Sequence, residues 1–355
     1  MSELEKALSD AAAMGASDVF LAPGAALSVR VAGELRALGE AKLRPEATEA
    51  MAREIYALAQ RQPERVFSEG DDDFSFALPG VARFRVNLYR QRGSYASVIR
   101  IVQFTIPDWR TLGIPEAVID LSRRTHGMVL ITGTAGSGKS TTLACIVDAI
   151  NRSRACHIVT LEDPVEFLHR NRRSIVSQRE IAIDTKSARS GLRACLRQAP
   201  DVIQLGELRD PETIRTAMTA AETGHLLLAT LHTRGAVNSI DRIVDSFPAE
   251  QQAQVRLQLG SVLETVVSQQ LLPAVGGGRV AAFEILHATG AVRSMLRDGR
   301  TPQMENALAS GGSEGMVSMD AAILALYRAG RITAETALAY CGNREQLLRR
   351  IGGER

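Results

Sequence analysis

The residues with the plainest chemistry are Gly133-Thr134-Ala135-Gly136-Ser137-Gly138-Lys139-Ser140, which satisfy G-x-x-x-x-G-K-[ST] between the apolar run Met128-Val129-Leu130-Ile131 and Thr141-Thr142-Leu143-Ala144. Phosphate oxygens need inward-facing donors. Glycines let the backbone turn so that its N–H groups and the N-terminus of the following helix supply them. Lys139 can then reach the β- and γ-phosphates of a nucleotide, the Ser140 hydroxyl can hold Mg²⁺, and Thr141 carries the loop into the helix. A Gly/Ser turn with a chance lysine is the weaker reading, because motif and flanks both match.

Hydrolysis asks for acids as well. The run Asp201-Val202-Ile203-Gln204-Leu205-Gly206-Glu207 reads as a buried strand that delivers Glu207 at its end, where most P-loop proteins carry Asp. This is a variant Walker B element, and its plain alternative is an ordinary strand-end carboxylate. Gln204 is out of place there, since a buried amide needs partners. A second acidic cluster, Thr160-Leu161-Glu162-Asp163-Pro164-Val165-Glu166, sits at the carboxyl end of the strand that starts at His157. Open parallel sheets bind ligands at that edge, where a carboxylate can orient and deprotonate water; the alternative is a surface loop whose acids cap a helix. Two of the six histidines, His225 and His232, bracket Leu226 to Leu231, with His232 at the carboxyl end, placed to sense a γ-phosphate. For either one, a structural role is as good a reading as a functional one.

The elements that must position these groups follow from periodicity. Ser2 can cap a helix to about Met14, with Gly15 as its stop. Short β-like runs at 17–21, 27–31 and 34–38, separated by Pro23-Gly24 and Ala32-Gly33, precede a helix from about 45 to 59. Three more strands, at 73–78, 83–90 and 95–102, complete a small α+β domain over 1–102. In Arg83-Phe84-Arg85-Val86-Asn87-Leu88 the period of two sets Phe84, Val86 and Leu88 against Arg83, Arg85 and Asn87, and Arg100 likewise opposes Ile99 and Ile101. Taken alone, these arginines read as a solvated sheet face. Residues 103–113 read as a linker. From 114 on, strand-like runs at 128–132, 157–161, 202–206 and 226–231 alternate with helical segments at 139–151, 187–198 and 211–222, which predicts a mostly parallel, helix-covered sheet. From about 249 the pattern reads as helical, with a long helix over 249–271, a short strand over 280–286 and short helices to the end.

Length and composition bound the rest. The 355 residues suit about two domains; 45 % hydrophobic and 23 % charged residues are those of a soluble globular protein. Lys plus Arg 42 against Asp plus Glu 40 leaves a net charge of +2, so no global field points to nucleic acid or an anionic membrane. No apolar run approaches the ~20 residues of a spanning helix, and the acidic start is unlike a secretory signal. Cys145, Cys156, Cys195 and Cys341 stand apart in mostly apolar surroundings and read as buried free thiols of a reducing cytosol.

The ordered boxes G-T-A-G-S-G-K-S-T-T-L, T-L-E-D-P-V-E, D-V-I-Q-L-G-E-L-R-D and T-A-A-E-T-G-H-L-L-L-A-T-L-H-T together resemble the secretion-type ATPase superfamily, and within it the PilT family of type IV pilus retraction (twitching motility) ATPases. The likeness spans nearly the whole chain, including A-S-D-V-F-L, A-R-F-R-V-N, I-D-R-I-V-D-S-F-P and V-A-A-F-E-I-L. It implies a PAS-like N-terminal domain followed by a RecA-like P-loop core with a helical C-terminal part. It also implies ATP and Mg²⁺ as cofactors, Glu166 as general base, Glu207 as Mg²⁺ support, directly or through water, and His232 as a γ-phosphate contact, with Glu162 and Asp163 in second place.

The same resemblance implies a cytoplasmic homohexameric ring, held at the inner membrane through a pilus platform protein, without nucleic acid and without membrane insertion. Arg85 and Arg100, with Arg83 in reserve, would then serve ATP in a neighbouring subunit. Where the family has A-I-R-N-L-I-R-E, a motif associated with retraction, this chain reads Ala291-Val292-Arg293-Ser294-Met295-Leu296-Arg297-Asp298. That departure leaves hydrolysis expected and puts retraction in question. A weakly hydrolysing regulatory ring subunit and a type IV secretion ATPase are the alternatives. A ring helicase lacks its expected stacking platforms, with aromatics at only 4 %.

Overall fold

The computed structural model describes residues 2–31, 33–62, 64–102 and 105–352. Met1, Ala32 of the second predicted turn, Gln103 at the head of the predicted linker and residues 353–355 lie outside them. The chain divides into two compact units, Met1–Thr105 and Ile106–Arg355.

In the first unit, α1 (Glu3–Ala13) starts at a capping box, in which the Ser2 hydroxyl accepts from the Glu5 N–H and the Glu5 carboxylate accepts from the Ser2 N–H. Its apolar residues Leu4, Leu8 and Ala11 share one buried face, and Gly15 follows its end at a φ of 70°. Strands β1 (Asp18–Leu21), β2 (Ala26–Val31) and β3 (Glu34–Lys42) lead into α2 (Pro45–Leu58), which has Pro at its first turn, and the short α3 (Glu64–Glu69). Then come β4 (Asp71–Leu78), β5 (Ala82–Gln91) and β6 (Ser94–Val102). The sheet is antiparallel in the order β3-β2-β1-β6-β5-β4. As the alternation predicts, Phe84, Val86 and Leu88 are buried in the core with Ile55 and Tyr56 of α2. On the other side of the pleat the β5–β6 register sets Arg85 opposite Arg100.

The second unit opens with α4 (Glu116–Ile119) and a 3₁₀ turn, Asp120–Arg123. The order continues β7 (Gly127–Thr132), α5 (Lys139–Ser153), β8 (His157–Glu162), β9 (Ile175–Glu180), α6 (Ala188–Cys195), β10 (Val202–Leu205), α7 (Pro211–Glu222) and β11 (Leu226–Leu231). Next come α8 (Ala236–Asp245), α9 (Ala249–Val262), β12 (Leu263–Pro273) and β13 (Arg279–His287). The C-terminal helices are α10 (Gly290–Arg297), α11 (Thr301–Ser310), α12 (Met319–Arg328), α13 (Ala334–Tyr340) and α14 (Arg344–Gly352), with a 3₁₀ turn at Gly311–Glu314. The seven strands lie in the order β13-β12-β7-β11-β10-β8-β9, parallel except for β13. One apolar cluster joins Val129 and Ile131 to Ile146 and Ile150 of α5, and another joins Met128 and Leu130 to α6, α7, α8 and α9 on the opposite face. Every residue of β7 and β11 is buried, as inner strands of a parallel sheet must be. The fold is therefore a small α+β unit followed by a RecA-like α/β core with a helical C-terminal part.

One expectation fails. The pattern over 249–271 is not one helix: α9 ends at Val262 and β12 begins at Leu263, pairing in parallel with β7. The β-branched run Thr265-Val266-Val267 favours the pleat, and the buried edge of β7 supplies the ladder that a helix would forgo. The C-terminal third thus gives two strands to the main sheet before its helices. The strand β9 and helix α3 were not foreseen. Within the segment assigned to a linker, Ile106, Trp109 and Leu112 pack against the α5 side of the second unit.

Two side chains tie this region together. Glu284 of β13 is buried and accepts from the N–H of Ala236 at 2.6 Å and of Met319 at 3.1 Å, so one carboxylate caps the first turns of α8 and α12. Arg293 of α10 donates to the carbonyls of Ala288, Gly260 and Ser261 and to the Glu264 carboxylate at 2.7 Å, closing the end of α9. Asp298 is the C-cap of α10 and pairs with Arg300 at the surface.

Candidate nucleotide site

The strand order dictates what meets at the carboxyl edge of the sheet. The P-loop leaves β7, β11 lies beside it and leads directly into His232, β10 comes next with Glu207 two residues past its end, and β8 follows with Glu162. His232 must therefore emerge between Lys139 and Glu207. It does: Lys139 Nζ lies 3.4 Å from His232 Nδ1, and His232 Nε2 lies 2.7 Å from Glu207 Oε2. An ammonium only donates, so Nδ1 accepts and the Nε2 proton faces the carboxylate. Burial first, then the charges of Lys139 and Arg209, push the His232 pKa below the ordinary imidazole value, in keeping with this neutral tautomer.

The loop itself needs its glycines. Gly133, Gly136 and Gly138 adopt φ of 143°, 73° and 92°. A Cβ at Gly133 would stand 2.3 Å from the Gln269 carbonyl oxygen, and one at Gly138 would stand 2.8 Å from Gln269 Nε2. Gln269, on β12, is buried and accepts from the Thr142 hydroxyl at 2.7 Å, so it supports the loop from below. Gly138 is the N-cap of α5 and no side chain caps that end, which leaves the first N–H groups of a 15-residue helix facing the cavity. Lys139 is 7 % exposed, donates to the carbonyls of Gly133 and Thr134 at 2.9 Å each, and has its pKa lowered by burial against the raising influence of Glu166.

The surrounding cavity, about 530 Å³, is lined by Ala135, Gly136, Gly138, Lys139, Ser140 and Thr141 of the loop and, facing them, by Glu166, Glu207 and His232. The acidic box divides its labour. Glu162 is buried, its pKa raised by burial, and accepts from the Thr160 hydroxyl at 2.5 Å and Gln178 Nε2 at 3.1 Å. Asp163 lies 3.5 Å from Arg209, which also pairs with Glu207. Glu166 lines the cavity, makes no side-chain hydrogen bond or ion pair among the described residues, and stands near enough to act on the charge of Lys139. His225 does other work: its Nδ1 lies 2.9 Å from the Ala220 carbonyl at the end of α7.

Sequence reasoning missed Gln269, Arg209 and Arg279. Gln269 fell in the stretch taken for helix. Arg209 stands in the same box as Glu207, and an arginine two residues from Glu207 is within reach of it. Arg279 begins β13 and lines the same cavity beside Leu271. In the first unit, Arg100 Nε lies 3.1 Å from Asp18, whereas Arg85 makes no hydrogen bond or ion pair among the described residues.

The residues suit a hard cation. Ser140, Glu207 and the Gln204 carbonyl are all oxygen donors, and among the described residues no three His, Cys, Asp or Glu side chains form a metal cluster. Mg²⁺ is held in this way, through substrate phosphates, waters and one or two protein oxygens.

A P-loop after an inner parallel strand, with an acid strand one strand removed and a histidine between them, defines the class of P-loop nucleoside triphosphatases. Comparison with known proteins narrows it. The family model described as "Type II/IV secretion system protein" matches residues 1–341, and the chain belongs to that family. It is 43 % identical over 335 residues to the "Type IV pilus retractation ATPase PilT" of Pseudomonas aeruginosa, covering 94 % of this chain and 97 % of that one. It is 42 % identical to the "Twitching motility protein" of Neisseria gonorrhoeae, over 90 % of this chain and 85 % of the relative. Among solved structures, that of the pilus retraction motor PilT with bound ADP superposes with a TM-score of 0.89 at 42 % identity, over 98 % of this chain and 99 % of that one. The Legionella pneumophila ATPase DotB follows at 0.74 and 27 %, over 94 % of each.

Proposed function

We propose that this protein is an ATP-hydrolysing motor of type IV pilus retraction, acting as a cytoplasmic homohexamer on a pilus platform protein of the inner membrane. The observation that carries the reading is the aligned set Lys139, His232 and Glu207, faced by Glu166 across one cavity, in a chain that matches pilus retraction ATPases end to end. Among the described residues no helix is long and apolar enough to cross a membrane.

The loop from Gly133 to Thr141 holds the phosphates. Lys139, which now spends its protons on two loop carbonyls, turns them to the β- and γ-phosphates. Ser140 and Glu207 hold Mg²⁺, which when bound neutralises charge on the transferred phosphoryl group. Glu166 takes the proton of the attacking water, because it alone of the box carboxylates facing the cavity has its oxygens uncommitted. His232 contacts the γ-phosphate and relays its presence to Glu207. Arg279 reaches the nucleotide from the β12–β13 side. Arg85, with Arg100 beside it, serves the site of the neighbouring subunit.

The test is turnover and phenotype together. Purified protein hydrolyses ATP with Mg²⁺, Lys139→Ala does not, and deletion in the host leaves surface pili that accumulate without twitching. Wild-type turnover no faster than that of Lys139→Ala, with ADP still bound, would leave instead a nucleotide-holding ring subunit.

A further inference from the structure

Gln204 lies on β10, three residues before Glu207.

The Gln204 side chain is an uncharged amide in an otherwise apolar strand. It lines the nucleotide cavity, is only 6 % exposed, and its Oε1 is buried without a hydrogen-bond partner. Its neighbours in the sheet cannot satisfy it. Thr160, paired with it on β8, gives its hydroxyl to Glu162, and Leu228, paired with it on β11, is apolar. A buried unpaired carbonyl is costly, so it calls for a donor that enters with the occupant. Phosphate oxygens offer no proton at neutral pH. The waters of a hydrated Mg²⁺ do, and Mg²⁺ keeps several of them when bound beside phosphates.

We propose that the Gln204 amide accepts a hydrogen bond from a water of the nucleotide-bound magnesium, and so positions the metal from within β10. The proposal rests on the nucleotide-site reading above and deepens it.

The experiment measures the affinity of the full-length protein for the N-methylanthraniloyl derivative of ADP, with Mg²⁺ and with EDTA, in wild type, Gln204→Met and Gln204→Glu. The readout is the ratio of the two dissociation constants. Gln204→Met keeps the affinity in EDTA and loses about three- to tenfold of the Mg²⁺ enhancement, the worth of one hydrogen bond. Gln204→Glu, which still accepts, keeps the enhancement. The Tm of Gln204→Met without nucleotide is equal to or above that of wild type, since a buried unpaired group has been removed, and this shows that the variant folds. An unchanged Mg²⁺ enhancement in Gln204→Met overturns the proposal. So does an equal loss with and without Mg²⁺, which would make the amide a donor to phosphate. Failure of the wild type to bind the probe under either condition would instead overturn the site itself.

Discussion

At the residue scale the site turns on a neutral imidazole. His232 can accept from Lys139 and donate to Glu207 only while it carries one proton. Its pKa is depressed, so the useful form persists above the ordinary imidazole value of about 6.5 and is lost as pH falls through the lower value. The value of kcat/KM for ATP should accordingly stay flat through the usual histidine range and fall only at more acidic pH, and His232→Gln should abolish that acid limb. An inflection at or above about 6.5 that survives the substitution would show that another group controls it. At this scale the sequence was most readable, because the P-loop, Glu166, Glu207 and His232 sit in contiguous boxes whose spacing survives any tertiary arrangement. What it could not reveal was commitment. That Glu162 is enclosed by Thr160 and Gln178, and that Arg100 is drawn to Asp18 while Arg85 is not, depends on strands far apart in the chain.

At the element scale the instructive error is β12. Its apolar residues satisfy a helical period nearly as well as a strand one, and only the open edge of β7 decides between them, a partner more than a hundred residues upstream. The error hid Gln269. Replacing it by Leu should leave the Thr142 hydroxyl buried and unpaired, costing about 1–3 kcal/mol, seen as a lower Tm together with weaker ADP binding. A Tm loss with unchanged affinity would mean that Gln269 serves the fold and not the loop. The α10 region is equally specific. Arg293→Ala strips partners from two α9 carbonyls and from Glu264, and should cost about 2–4 kcal/mol of stability in denaturant unfolding. Asp298→Glu touches only a surface pair and should change stability by less than about 0.5 kcal/mol and leave ATP turnover as it was. The motif that departs from the family therefore keeps its structural anchor Arg293, and of its changed residues Asp298 lies at the surface.

At the scale of the whole molecule, the proposed motor has the N-terminal sheet of one subunit serve the nucleotide site of its neighbour. Mixing Lys139→Ala with Arg85→Ala subunits should therefore restore part of the ATPase activity that each lacks alone, because some boundaries then pair an intact loop with an intact arginine. Absence of rescue at every ratio would place Arg85 outside the site. The compact units divide between Thr105 and Ile106, and the assignment of Ile106, Trp109 and Leu112 was not legible in the sequence, since a few apolar residues beside a proline do not say which core they join. The hairpin of β12 and β13 has a mechanical meaning. One strand holds the floor of the phosphate loop through Gln269, and the other pins the first turns of α8 and α12 through Glu284. The two strands run paired in register over nine residues. Gln269 pairs with Phe283, the neighbour of Glu284, so the support of the loop and the pin on both helices meet at one level of the hairpin, and a displaced loop bears on both helices through adjacent residues.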